Sequence, residues 1–130
     1  MSIFQRAFEQ GQIASQLGFD WDQSIAVMDK IKEEVQELEE AVQNQNPEHI
    51  RHEMGDVLLA LASLARHHNI SMEQSFETAL TRFQSRWDMM IEIAEAEKII
   101  LDTLTPDEWE QLWESAKATL DNTLLVDTNR

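Results

Sequence analysis

Three glycines and two prolines are the only strong backbone punctuation in this 130-residue chain. A chain with so few breakers has few places to turn, and most of its length must lie in long regular elements. Apolar spacing says which kind. Met28, Ile31, Val35, Leu38 and Val42 recur at +3, +4, +3, +4, the period of one helix face. Phe76, Leu80, Phe83, Trp87, Met90 and Ala94 form a second such stripe, and Trp109, Leu112, Trp113, Ala116 and Leu120 a third. No segment reads as a strand. The expected fold is all-α, a bundle of about four to five helices.

The sparse punctuation falls where helices should end. A first helix is expected over about Ile3–Leu17, stopped by Gly18 in a left-handed cap. A second should cover about Asp22–Gln45. Asn46-Pro47 then reads as an N-cap followed by proline in the first turn of a third helix, to about His68, with Asn69 as its stop. Val57–Ala62 is apolar on every side, which predicts a central, buried position for that helix. Ser71 and Gln74 form a capping box for a fourth helix that runs to about Leu101. Thr105-Pro-Asp-Glu108 is the strongest start signal and opens a fifth. Asp127–Arg130 should be a frayed tail. No repeat or linker interrupts the pattern, so residues 1–130 read as one domain.

Charge narrows the function. The net charge is −15, which disfavours nucleic-acid backbones and anionic membranes as partners. A bound cation can invert the local sign, so a small polyphosphate remains admissible. The absence of cysteine excludes disulfides and thiolate chemistry. The longest apolar run, Val57–Ala62, is too short for a membrane span or a signal-peptide core, and a cytoplasmic protein is expected.

Most acids suit solvated helix faces, but two groups do not. Lys30, Glu34 and Glu37 fall within about 60° of one another on a helix, with Glu33 on the shoulder of the strip. Glu53 and Asp56 share a face at i and i+3, one turn before the apolar run. A carboxylate on a buried helix is costly unless it is paired or metal-bound. If these helices pack together, four carboxylates converge. Oxygen donors alone suit Mg²⁺ or Mn²⁺. The alternative is a set of i, i+4 ion pairs with Lys30 and other bases. Ala60 and Ser63 follow on the Glu53 strip and are small enough to leave room for a ligand.

Other chemistries lack their motifs. A di-iron bundle needs Glu-x-x-His, and none of the four histidines has Glu three positions before it. They read as surface or helix-end residues. There is no glycine-rich phosphate loop and no nucleophile motif. Arg82 and Arg86 stack at i, i+4, suited either to phosphate or to surface ion pairs.

Glu33-Glu34-x-x-Glu37 followed, after fifteen residues, by Glu53-x-x-Asp56 resembles the signature of the MazG nucleoside triphosphate pyrophosphohydrolases. Leu17-Gly-Phe-Asp-Trp21 is similar to the segment before that family's metal helix. Leu64-Ala-Arg66, Ala79–Trp87 and Trp109–Lys117 resemble later family segments in the same order. The resemblance implies that Glu34, Glu37, Glu53 and Asp56 hold Mg²⁺, or Mn²⁺, with Glu33 a water-orienting carboxylate beside it. It implies that Lys30, Arg82 and Arg86 touch a triphosphate, and that Trp113 and Lys117 lie against the nucleotide. The implied reaction is hydrolysis of a (deoxy)nucleoside triphosphate to monophosphate and pyrophosphate. The implied assembly is a homodimer or homotetramer. The chain departs from the family pattern at Arg82, Trp87 and Ser63, where Lys, Phe and Asn are usual, and it holds one such domain rather than two. Two other readings stay open: a related all-α pyrophosphohydrolase for dUTP, dCTP or phosphoribosyl-ATP, and a non-catalytic acidic module that binds a protein.

Overall fold

A computed structural model describes the backbone of residues 1–128 and the side chains of residues 1–123. Among the described residues the regular structure is wholly helical: α1 (Ile3–Gln16), α2 (Ser24–Gln43), α3 (Pro47–His67), α4 (Met72–Glu97), a short 3₁₀ turn (Leu101–Thr103) and α5 (Pro106–Thr128). The helix expected to reach Leu101 stops at Glu97 instead, and α5 continues through Thr128, into the expected tail. Residues 129–130 lie outside the described residues. No described helix is long and apolar enough to cross a membrane. The chain forms two compact units, Met1–Ser75 and a second that begins at Phe76, with the boundary inside α4.

The helix starts follow the expected chemistry. Asn46 Oδ1 accepts the His49 amide at 3.2 Å, and Ser71 Oγ accepts the Gln74 amide at 3.1 Å. Thr105 and Glu108 bond each other reciprocally, at 3.0 and 3.2 Å, and these bonds hold the Glu108 carboxyl below its ordinary pKa. The stops share one device. Gly18, Gln45, Asn69 and Lys98 all have positive φ. The residue after each returns its amide to a carbonyl five positions back, as in Phe19 to Ala14 at 2.9 Å and Ile99 to Ala94 at 2.8 Å. Gly18 suits this backbone and Asn69 tolerates it, whereas the side chains of Gln45 and Lys98 cost about 1 kcal/mol each there. Gln45→Gly and Lys98→Gly should therefore each stabilise the chain by about 0.5 kcal/mol, net of the extra unfolded-state freedom of glycine. Denaturant midpoints test this; a loss of stability in both variants would remove the strain argument.

In the first unit, α2 and α3 are joined by residues 44–46 alone and pack as a hairpin of helices, with α1 against α3. Val27, Ile31 and Ala60 are its buried core, with Met28, Leu61 and Leu64 around them. The buried face of α2 is rotated from the expected one. It carries Val27, Ile31, Glu34 and Ala41, whereas Val35 and Val42 are exposed. The most apolar stripe of α2 is thus not the buried one, because the packed face runs through an acid. The all-round burial expected of Val57–Ala62 is also corrected. Ala60 is buried, but Leu58 is 51% and Leu59 60% exposed.

In the second unit Met90, Leu112 and Ala116 are buried, enclosed by Met89, Ile93, Leu101, Leu104, Trp109 and Trp113. The expected α5 stripe is the packed one. On α4 only the later part of the stripe, Met90 and Ala94, is buried, while Phe76, Leu80, Phe83 and Trp87 are exposed. Trp87 stacks on Trp109 with centroids 6.2 Å apart.

Candidate functional site

The hairpin brings the two acidic groups together. Glu34 on α2 and Glu53 on α3 are the buried charged residues of the described chain, at 6% and 5% exposure. With the exposed Glu37 they offer carboxylate oxygens that all lie within 4.8 Å of one another. A second group, His52, Glu53 and Asp56, meets the same limit and shares Glu53. Glu33 is exposed and belongs to neither.

The hydrogen bonds of the buried pair are half complete. Lys30 Nζ lies 2.9 Å from Glu34 Oε1, and His49 Nε2 lies 3.4 Å from Glu53 Oε1. Glu34 Oε2 and Glu53 Oε2 are buried with no donor from the protein. An ionised oxygen left without a partner inside a protein is expensive. The electrostatics show the same crowding. Lys30 holds the Glu34 carboxyl below its ordinary pKa and is itself pushed up by Glu34. The neighbouring Glu53 carboxylate, and then the charge of Glu34, push Glu37 up. Clustered acids with orphaned buried oxygens fit a hard divalent cation, which takes oxygen donors and removes the repulsion. The site could hold a metal ion.

Beside the carboxylates lies a pocket of about 740 Å³ within the first unit. Ile3, Arg6, Ala7 and Gln10 of α1 form one wall and Phe19, Asp20 and Trp21 of the following loop another. Lys30 and Glu34 of α2, and Asp56, Leu59, Ala60, Ser63 and Arg66 of α3, complete it. Its size suits a small organic ligand. Ala60 and Ser63 line it, in keeping with the space expected from their small side chains. The Ser63 hydroxyl donates to the Leu59 carbonyl at 3.3 Å.

These features lie on a stretch of sequence with known relatives. Residues 12–90 match the MazG nucleotide pyrophosphohydrolase domain. The chain belongs to the MazG family. This MazG chain is 36% identical over 104 residues to the nucleoside triphosphate pyrophosphohydrolase/pyrophosphatase MazG of Thermotoga maritima, covering 80% of this chain and 40% of that protein. It is 30% identical over 105 residues to the nucleoside triphosphate pyrophosphohydrolase of Escherichia coli K12, covering 78% and 39%. A 70-residue match at 31% identity to the uncharacterized YabN of Bacillus subtilis covers 54% and 14%. The chain thus spans about two fifths of the length of the two named pyrophosphohydrolases.

The remaining expected contacts, Arg82, Arg86, Trp113 and Lys117, belong to the second unit. There the Arg86 guanidinium lies over the Trp113 ring, 5.4 Å from its centroid, and Phe83 packs on the same ring at 5.7 Å. Lys117 reaches Glu114 at 3.5 Å, and Arg82 is exposed. The histidines are surface or helix-end residues as expected, His52 and His68 exposed and His67 closing α3, but three of them meet an acid. His49 and His52 sit against Glu53 and Asp56, and His67 lies 2.9 Å from Asp20. The i, i+4 spacing of His49 to Glu53 and of His52 to Asp56 carried the first two in the sequence.

Proposed function

We propose that this chain is a Mg²⁺-dependent nucleoside triphosphate pyrophosphohydrolase, with residues 1–130 acting as one catalytic domain. The observation that carries the reading is the pair of buried, donorless oxygens of Glu34 and Glu53 inside a carboxylate cluster that opens onto a pocket. Family membership supports the substrate class, and the likeness to the two pyrophosphohydrolases supports the reaction.

Glu34, Glu37, Glu53 and Asp56 would hold the ion. When bound, Mg²⁺ supplies charge neutralisation of the phosphates and acidification of water. Glu33 orients water at the edge of the cluster. Lys30, kept protonated by Glu34, presents a permanent positive charge to charge building on the leaving pyrophosphate. Arg82 and Arg86 as phosphate contacts, and Trp113 and Lys117 as nucleoside contacts, are proposed on the resemblance of their motifs. Attack at the α-phosphorus releases monophosphate and pyrophosphate, a reaction suited to clearing nucleotide pools in the cytoplasm. The exposed Met54, Leu58 and Leu59 on α3 support a homodimer or homotetramer, since apolar side chains of this size are commonly covered by a second copy.

A product assay with a panel of ribo- and deoxyribonucleoside triphosphates, with Mg²⁺ and with EDTA, tests the reading. Monophosphate plus pyrophosphate only with Mg²⁺ is expected. Diphosphate plus phosphate would move attack to the γ-phosphorus. No turnover of any nucleotide would reject the enzyme in favour of a binding module, and turnover of dUTP or dCTP alone would place it with the related specific hydrolases.

A further inference from the structure

The loop that walls the pocket is fastened from a distance. Arg66 Nη1 and Nη2 donate to the two Asp20 carboxylate oxygens at 2.8 and 2.9 Å, a bidentate fork, and His67 Nε2 lies 2.9 Å from Oδ1. The Arg66 and Asp20 side chains are 12% and 15% exposed. The fork joins the α1–α2 loop to the last turn of α3 across 46 residues of sequence. The loop's other hydrogen bonds, such as Phe19 to Ala14 and the Trp21 amide to Asp20, stay local. On either side of Asp20 stand Phe19 and Trp21, which line the pocket.

A third element meets the same guanidinium. A Cβ on Gly11 of α1 would stand 2.7 Å from Arg66 Nε and 3.2 Å from Cδ. A free arginine could swing away from such a clash, but one forked onto Asp20 cannot do so without breaking the fork. Gly11 is therefore where α1 allows the arginine to pass. Both terminal nitrogens already face Asp20, so the Arg66 charge is matched inside the protein rather than offered to a ligand.

We infer that the Asp20–Arg66 fork, seated on Gly11, is a positioning latch that ties the loop bearing the exposed Phe19 and the partly exposed Trp21 to α3 at Asp20, and so sets how tightly the pocket they border grips a nucleoside triphosphate. The inference rests on the function proposed above. The latch acts through the wall and not on the reacting atoms, so its loss changes substrate affinity rather than the chemical step.

Steady-state hydrolysis of one triphosphate by the wild type, Asp20→Asn and Gly11→Ala tests it, with Mg²⁺ affinity titrated on each protein without nucleotide. Both variants are expected to raise KM about tenfold with kcat within about twofold, and to leave Mg²⁺ affinity unchanged. Gly11 also borders the pocket, but the atoms within 4 Å that its Cβ would meet first all belong to Arg66, so Gly11→Ala disturbs the fork without deleting a charge and keeps the test open if Asp20→Asn folds poorly. An unchanged KM in a folded variant overturns the latch. A joint fall of kcat and Mg²⁺ affinity also overturns it, because the fork would then be scaffolding the carboxylates. If the wild type hydrolyses nothing, the proposed function fails by itself. The latch is then judged by calorimetric binding of a non-hydrolysable triphosphate, and it falls if the wild type and Asp20→Asn bind equally or the wild type does not bind.

Discussion

Glu53→Gln is expected to lower hydrolysis by at least about a hundredfold while making the metal-free protein more stable. The two effects share one cause. Glu53 is the residue common to both metal-capable groups, and its Oε2 is buried without a donor. Without a cation its charge sits among those of Glu34 and Glu37, an arrangement that opposes folding. The glutamine amide removes that charge and can donate to a neighbouring carboxylate. Relief of about 1 kcal/mol is expected, read as a higher melting midpoint in EDTA. Mg²⁺ should raise the wild-type midpoint, by up to about 2.7 kcal/mol of stability at a hundredfold excess over Kd, and raise that of the variant far less. The order of stability then reverses between EDTA and Mg²⁺. A variant less stable than the wild type in EDTA would mean that the carboxylate is satisfied without metal. Wild-type turnover by the variant would remove Glu53 from the metal site altogether.

The gathering of these carboxylates was legible in the sequence because the residues break a rule. Glu53 and Asp56 stand one turn before an apolar run, and acids in such a place need a reason. The helix starts were legible for a similar local cause: Thr105-Pro-Asp-Glu108 contains its whole cap within four residues. What failed were inferences that needed neighbours. The face of α2 that carries Val35 and Val42 is the more apolar one, yet α3 packs on the face with Glu34, and the protein holds that acid with Lys30. Hydrophobicity predicts burial of Leu58 and Leu59, but the described residues cover less than half of either one. The left-handed stop at Lys98 has a residue that seldom adopts this backbone, so its identity did not mark it, whereas Asn46-Pro47 placed the end of α2 near Gln45. Asp20 and Arg66 lie in segments, Leu17–Trp21 and Leu64–Arg66, whose only sequence signal is the family resemblance. A bond across 46 residues leaves no periodic trace in the sequence.

The same bond makes a prediction about stability that is separate from its proposed effect on KM. Arg66 and His67 hold the Asp20 carboxyl well below the ordinary carboxylate range, with the arginine fork as the largest cause. Asp20 thus binds its proton less readily in the folded chain than in the unfolded one, where its pKa is about 3.9. A group depressed in this way stabilises the fold above its unfolded pKa, and the contribution fades as pH falls toward the folded value. Arg66→Ala removes the fork and leaves Asp20 largely buried, at an expected cost of about 2–3 kcal/mol at neutral pH. The lower part of the range for broken buried pairs applies because both side chains keep some contact with solvent. The stability gap between the wild type and Arg66→Ala should be constant from about pH 8 down to about pH 5 and should narrow below about pH 4. Urea midpoints across that range supply the test. A gap that stays level to the lowest measurable pH would mean that Arg66 stabilises the chain through its packing on Gly11 and not through the charge of Asp20.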